Sequence, residues 1–360
     1  MALHVEHVNL GAIHDRMFYK TARMMIAEVL GVSNEDSLVI LYDSRTPVEI
    51  PRVYSGIATD LGAEVSIIEI PRPPSQEVYF LPLPKPVAAG LKSATKLITS
   101  WITYTDALAE PIQAGVHTMF IPPGPDVPDM LIRTVGEVDM KKMEMDQNKI
   151  AELWTKADLL TITSDLGTDL KADISGIEAR HSKYPPSKPE KGKIWSTMTP
   201  WGTAGGGINS IEGTLVINGI LGHRGPGLYG LPSEPITMEI KDFRIVKVKG
   251  DSKIWPLLKG YLDSFNDPNC YGFPAHGPAV GLNPNCRVGG PAEWERLRGC
   301  ITFGAGDNSV MSKYSRRAPS ARRRARRPLI KAKMHWDLQV LGATLCLDGK
   351  GIVENGEVKI

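Results

Sequence analysis

A chain of 360 residues with 42% hydrophobic and 23% charged residues can bury a sizeable core, and two domains are the natural expectation. Its net charge of +2 includes seven arginines between Ser315 and Pro328; without them the balance is 2 − 7 = −5, so no global basic field exists for nucleic acid. The start, Met1-Ala2-Leu3-His4, lacks a basic segment followed by an apolar run, and no apolar run is long enough to span a bilayer, so neither a signal peptide nor membrane insertion is expected.

Residues 14–31 have apolar positions near helical spacing and end at Gly31, which predicts an amphipathic helix. A short buried strand follows at 37–42, a helix at 51–61 closed by Gly62, and a strand at 64–70. Strand, helix, strand over about 30 residues is a βαβ unit. The rhythm continues with strands at 96–99, 116–121 and 158–163 and helices at 107–114, 126–135 and 140–157. This predicts a three-layer α/β domain with a mostly parallel sheet over residues 1–165. After the first strand comes Asp43-Ser44-Arg45-Thr46-Pro47, with neither G-x-G-x-x-G nor G-x-x-x-x-G-K, so a nucleotide cofactor is disfavoured.

Beyond residue 165 short strands with Gly and Pro turns take over, at 213–219, 236–240 and 243–250, with a helix at 254–264 and a loop at 266–287. Residues 166–360 are therefore expected to form an α+β domain rich in antiparallel strands. The Pro- and Lys-rich stretch 183–193 reads as a surface loop. The Arg-rich run 316–327 reads as a solvated face or loop, since no aromatics interleave with it for base stacking. Four cysteines, Cys270, Cys286, Cys300 and Cys346, show no C-x-x-C spacing, which disfavours structural zinc and leaves free thiols in a reducing cytoplasm as the expectation.

The segment Lys333-Met334-His335-Trp336-Asp337-Leu338 lies among β-prone residues. In a strand, residues i and i+2 share a face, so His335 and Asp337 project together while Trp336 points into the core. A histidine and a carboxylate are two of the three ligands of a facial 2-His-1-carboxylate site. Alone the pair reads as a polar strand end sooner than as a site. His181 and His223 lie in turn-rich loops, His117 in a predicted strand, and His276 in a loop of Gly and Pro where backbone can approach a ligand closely.

The stretch Asn266-Asp267-Pro268…Tyr271-Gly272…His276…Gly281-Leu282-Asn283-Pro284 resembles that of the 2,5-dihydroxypyridine 5,6-dioxygenases, ring-opening Fe(II) enzymes of nicotinate and nicotine breakdown. Ser210-Ile211-Glu212-Gly213-Thr214-Leu215-Val216, Arg298-Gly299-Cys300-Ile301-Thr302-Phe303-Gly304-Ala305-Gly306-Asp307-Asn308 and Met334-His335-Trp336-Asp337-Leu338 are similar in the same order. The resemblance implies His276, His335 and Asp337 as Fe(II) ligands. It also implies extradiol-type cleavage of a hydroxylated pyridine or related N-heteroaromatic by O₂, and a homo-oligomer. Tyr104 falls where the family has an acid/base histidine, and Tyr104 and Glu212 are the candidates for proton transfer or support of a ligand. The loop after His276 is one residue longer than the family's, and residues 196–201 replace its D-H-W-P segment, so the substrate need not be 2,5-dihydroxypyridine itself.

The same superfamily contains aminopeptidase T-like metallopeptidases, which hold two metals with additional glutamates. Their places read Thr203-Ala204-Gly205-Gly206 and Arg298-Gly299-Cys300 here, without a carboxylate. That removes the clamp for a hydrolytic water and favours one iron over a peptidase centre.

Overall fold

The computed structural model describes residues 10–71, 83–99, 106–122, 124–181, 196–223, 228–250, 253–289, 293–309 and 328–360. Tyr104, the stretch 183–193 and the Arg-rich run 316–327 lie outside the described residues. The first half runs α1 (Leu10–Arg23), β1 (Ser37–Asp43), α2 (Glu49–Asp60), β2 (Glu64–Ile70), α3 (Lys85–Leu91), β3 (Lys96–Thr99), α4 (Asp106–Gln113), β4 (His117–Phe120), α5 (Val127–Leu131) and α6 (Met140–Lys156). Single π-helical stretches, Met24–Val29 and Ile132–Gly136, extend α1 and α5. There follow β5 (Leu159–Thr163), β6 (Asp169–Asp173), β7 (Arg180–His181), β8 (Ser196–Met198), β9 (Thr203–Gly205), β10 (Ser210–Ile217), β11 (Leu221–His223), β12 (Leu228–Gly230), β13 (Ile236–Lys241) and β14 (Arg244–Lys249). The chain ends with α7 (Ile254–Ser264), β15 (His276–Gly281), β16 (Ile301–Gly306), β17 (His335–Val340), β18 (Thr344–Leu347), β19 (Lys350–Glu354) and β20 (Glu357–Val358).

Three sheets result. The first, in the order β2-β1-β3-β4-β8, is parallel throughout. Its interior strand β1 carries an apolar run, Leu38–Tyr42, buried on both faces, as a parallel sheet between helix layers requires. Leu38 and Ile40 join the core that α1, α2, α5 and α6 cover, while Val39 and Leu41 join a second cluster with Leu108 and Ile112 of α4. Helices on both faces make this the expected three-layer α/β unit. Gly62 ends α2 with φ +88, and a Cβ there would stand 2.9 Å from the Asn34 Cβ, so both backbone and space call for glycine.

The second sheet, β14-β13-β10-β6-β5-β18-β19-β20, and the third, β12-β11-β17-β16-β15-β9-β7, are antiparallel. The α+β character expected of the second half is therefore present. Two strands cross the expected boundary at 165. β5 lies in the antiparallel second sheet, between β6 and β18, rather than in the parallel one. Its burial alternates along Leu159–Thr163, the pattern of a strand covered on one face only. β8 returns to the parallel sheet beside β4.

The helix at 254–264 forms as expected, whereas the loop at 266–287 does not stay a loop. It folds into a 3-10 turn, Pro268–Tyr271, and then into β15. Gly and Pro are turn signals locally, yet Ala279, Val280 and Gly281 pair with β9, and Ala279 and Val280 with β16 as well. Pro278, which has no N–H to give a ladder, falls at the register shift between His276 and Ala279.

Candidate metal centre

Strand β17 is buried along its whole length, with its two faces divided by chemistry. Trp336, Leu338 and Val340 enter the core. Trp336 donates its indole N–H to the Cys270 carbonyl at 2.8 Å and packs near Trp255, so it points away from its two neighbours as the strand period requires. His335, Asp337 and Gln339 take the other face. β16 separates β17 from β15, and Gly304 stands in register with Asp337 on one side and His276 on the other. The sheet thereby brings together residues 61 positions apart in sequence.

His276, His335 and Asp337 offer two imidazole nitrogens and a carboxylate oxygen, all within 4.8 Å of one another. The Asp337 carboxylate lies 3.0 Å from His276 Nε2 and 3.2 Å from His335 Nε2. The two rings stack with centroids 5.4 Å apart. His335 is nearly enclosed, with a side chain 3% exposed, while that of His276 is 24% exposed.

Neighbours fix the protonation of this group. The Asp307 carbonyl accepts from His335 Nδ1–H at 2.8 Å, which leaves the Nε2 lone pair directed at the cluster. Burial disfavours a charged His335, but the Asp337 carboxylate and the bonds to Asp337 and Asp307 outweigh it and raise the imidazole above its ordinary value. Burial pushes the Asp337 carboxyl up, yet His335 and His276 pull harder and hold it well below the usual carboxylate range. The result is an ionised carboxylate between two imidazoles, a donor set suited to a divalent transition metal.

Asp307 also ties down the approach to β17. Its carboxylate accepts from the Ala332 amide at 3.0 Å and from Ser309 Oγ at 2.9 Å, and its amide donates to the Met334 carbonyl at 2.7 Å. Asp267 accepts from the Lys333 amide at 2.9 Å. This role of Asp307 is not visible in local sequence, because a backbone carbonyl carries no residue-type signal. Glu212, a sequence candidate, is exposed on β10 in the second sheet, in register with Lys171, and is not one of the three clustered side chains. His117 begins β4, in a strand as expected, where it is buried and its Nδ1 lies 3.2 Å from the buried Lys96 ammonium. Among the described residues no helix is long and apolar enough to cross a membrane.

A parallel sheet flanked by helices, joined to antiparallel sheets, is the aminopeptidase T-like fold. Two solved structures share it across nearly their whole length. The 2,5-dihydroxypyridine dioxygenase from Pseudomonas putida KT2440 is 19% identical with a TM-score of 0.71, covering 95% of this chain and 96% of its own. Wild-type AmpT from Thermus thermophilus is 12% identical with a TM-score of 0.64, covering 96% of this chain and 100% of its own. No curated protein matches the chain at the level of sequence. The family model described as NicX, 2,5-dihydroxypyridine 5,6-dioxygenase, matches residues 23–299, and the chain belongs to that family. His276 lies within the matched residues, and His335 and Asp337 lie beyond them.

Proposed function

We propose that this protein is an Fe(II)-dependent, ring-cleaving dioxygenase of a hydroxylated pyridine or related N-heteroaromatic, with His276, His335 and Asp337 as the iron ligands. The observation that carries the reading is the enclosed cluster of two imidazoles and one carboxylate in a chain of this family. When bound, the ferrous ion supplies the redox chemistry by which both atoms of O₂ enter an extradiol-type ring-opened product.

The chain's own residues do the rest. Asp337 contributes the single negative charge of the donor set, so a divalent ion held there keeps a net positive charge, which favours a substrate bound as its hydroxyl-deprotonated anion. The Asp307 carbonyl keeps the His335 proton on Nδ1 and so keeps Nε2 free to ligate. The enclosure of His335 and Asp337 excludes bulk water from one side, while His276, the most exposed of the three, faces the side from which substrate and O₂ enter. Proton transfer is assigned to Tyr104, on the resemblance alone; Glu212 lies outside the cluster and is given no proton to move.

Anaerobic loading with Fe(II), followed by O₂-uptake measurements on hydroxylated pyridines, tests the reading. About one iron per chain with substrate-dependent uptake supports it, and His335→Ala or Asp337→Ala should abolish uptake without loss of fold. Uptake that survives either substitution refutes the ligand assignment.

A second reading, a two-metal aminopeptidase, is favoured by the fold shared with AmpT. Against it, among the described residues a single carboxylate joins the imidazoles. Two metal ions per chain together with release of N-terminal amino acids from peptides would establish that reading in place of the first.

A further inference from the structure

We infer that Gly304 is a positioning residue for the metal: the side chain missing from β16, opposite both Asp337 and His276, is the space that lets an ion sit between the two imidazoles. The inference rests on the metal-dependent reading above and assigns a role to a residue that supplies no ligand atom.

Gly304 is flanked in the sheet by Asp337 on β17 and His276 on β15. Cross-strand neighbours point to the same face, so a side chain at 304 would rise between the ligands. A Cβ placed there would stand 2.4 Å from His276 Cδ2, 2.7 Å from His335 Cε1 and 2.9 Å from His276 Nε2. None of these separations is compatible with non-bonded contact. The three nearest atoms it would meet are therefore all imidazole atoms of the cluster.

The backbone does not demand glycine at this point. Gly304 is not among the residues with positive φ, so an L-residue can adopt its conformation. Gly306, two residues on and in register with His335, is the contrasting case. Its φ is +79, and a Cβ there would meet the Met334 carbonyl at 2.1 Å, so chain geometry alone accounts for it. Asp337 has a further glycine neighbour, Gly222 on β11, so both positions beside the carboxylate lack a side chain.

The two rings differ in their freedom to yield. His335 is enclosed and held through Nδ1 by the Asp307 carbonyl. His276 is the more exposed. A methyl group at 304 should displace His276 and open the donor triangle while the strand pairing stays intact.

The test is Gly304→Ala in the full-length protein, made metal-free and titrated anaerobically with Co(II) alone, with binding followed by visible absorption and thermal melting measured without metal. Wild-type protein should bind one equivalent. Gly304→Ala should weaken binding by about 100-fold, at the upper end for disturbing what orients a ligand. Equal affinity in both proteins overturns the inference and leaves the metal-dependent reading standing. Wild-type protein that binds no Co(II) overturns both. Should Gly304→Ala melt early, the same change is made in the H276A/H335A background, where the obstructing rings are gone. An unchanged melting temperature there supports the inference. An equal drop in both backgrounds marks a demand of the backbone and overturns it.

Discussion

Gln339 offers a direct measure of how firmly the strand carrying His335 and Asp337 is anchored. It lies two residues beyond Asp337 on the same face of β17 and is fully buried. Its Oε1 accepts from the Ile220 amide at 3.0 Å, and its Nε2 donates to the Trp294 carbonyl. Truncation to alanine leaves the Ile220 N–H buried without that acceptor, which costs about 1–3 kcal/mol. The Trp294 carbonyl keeps the Cys300 thiol as a donor at 3.3 Å, so its loss is smaller. The space left by the side chain adds to the cost, and Gln339→Ala should destabilise the protein by about 3 kcal/mol in total. Gln339→Met fills most of the volume without the hydrogen bonds and isolates their share, about 2 kcal/mol. Urea unfolding of the metal-free proteins, compared by linear extrapolation, reads both values. If both variants lie within about 0.5 kcal/mol of wild type, the clamp is not a stabilising element and the reasoning fails.

Three further outcomes follow from buried charge and buried thiols. In the metal-free protein the raised His335 contributes stability in full below about pH 6.5, and that contribution is lost as pH rises through its elevated folded value. Asp337, held low, contributes above about pH 3.9 and loses that contribution only as pH falls through its depressed folded value. The melting-temperature gap between wild type and Asp337→Asn should therefore shrink as pH rises from mildly acidic to alkaline. A gap independent of pH refutes the coupling. Bound metal must act in the opposite sense, since it requires a deprotonated His335 and its stabilisation grows with pH.

Burial pushes the Cys270 thiol to about 11 and Cys300 to about 12, and raises Cys286 as well, while Cys346 is half-buried. A thiol reagent at mildly alkaline pH should modify Cys346 alone in the native protein and the other three only after unfolding. Mass spectrometry that finds a second thiol modified as fast contradicts this. Arg133 pairs with Glu293 through contacts of 2.9 and 3.1 Å, and Glu293 is 1% exposed. Arg133→Ala leaves that buried carboxylate with the Arg287 amide at 2.8 Å but without its cation and should cost about 3–5 kcal/mol, whereas Arg133→Met with Glu293→Gln should cost less. A double variant as unstable as the single one would show that the pair is not the source of the loss.

Much of the parallel half was legible, because its signals are local. Leu38–Tyr42 of β1 form an apolar run, α2 ends at a glycine with positive φ, and α7 keeps the helical period over its whole length. The shared face of His335 and Asp337 is equally local, since a strand repeats every two residues whatever it pairs with. Pairing itself is not local. Leu159–Thr163 reads as one more strand in a βαβ rhythm, and only its partners β6 and β18 place it in an antiparallel sheet. His276 sits among Gly and Pro that read as a loop, and becomes the start of a strand because β9 and β16 flank it. By itself, then, the sequence determined most elements of the first half, the type of each layer and one edge of the His-His-Asp cluster. The third donor, the carbonyl that orients His335, and the gap at Gly304 are products of register between strands far apart in the chain. No local pattern encodes that register, since it is set by the burial of the whole sheet.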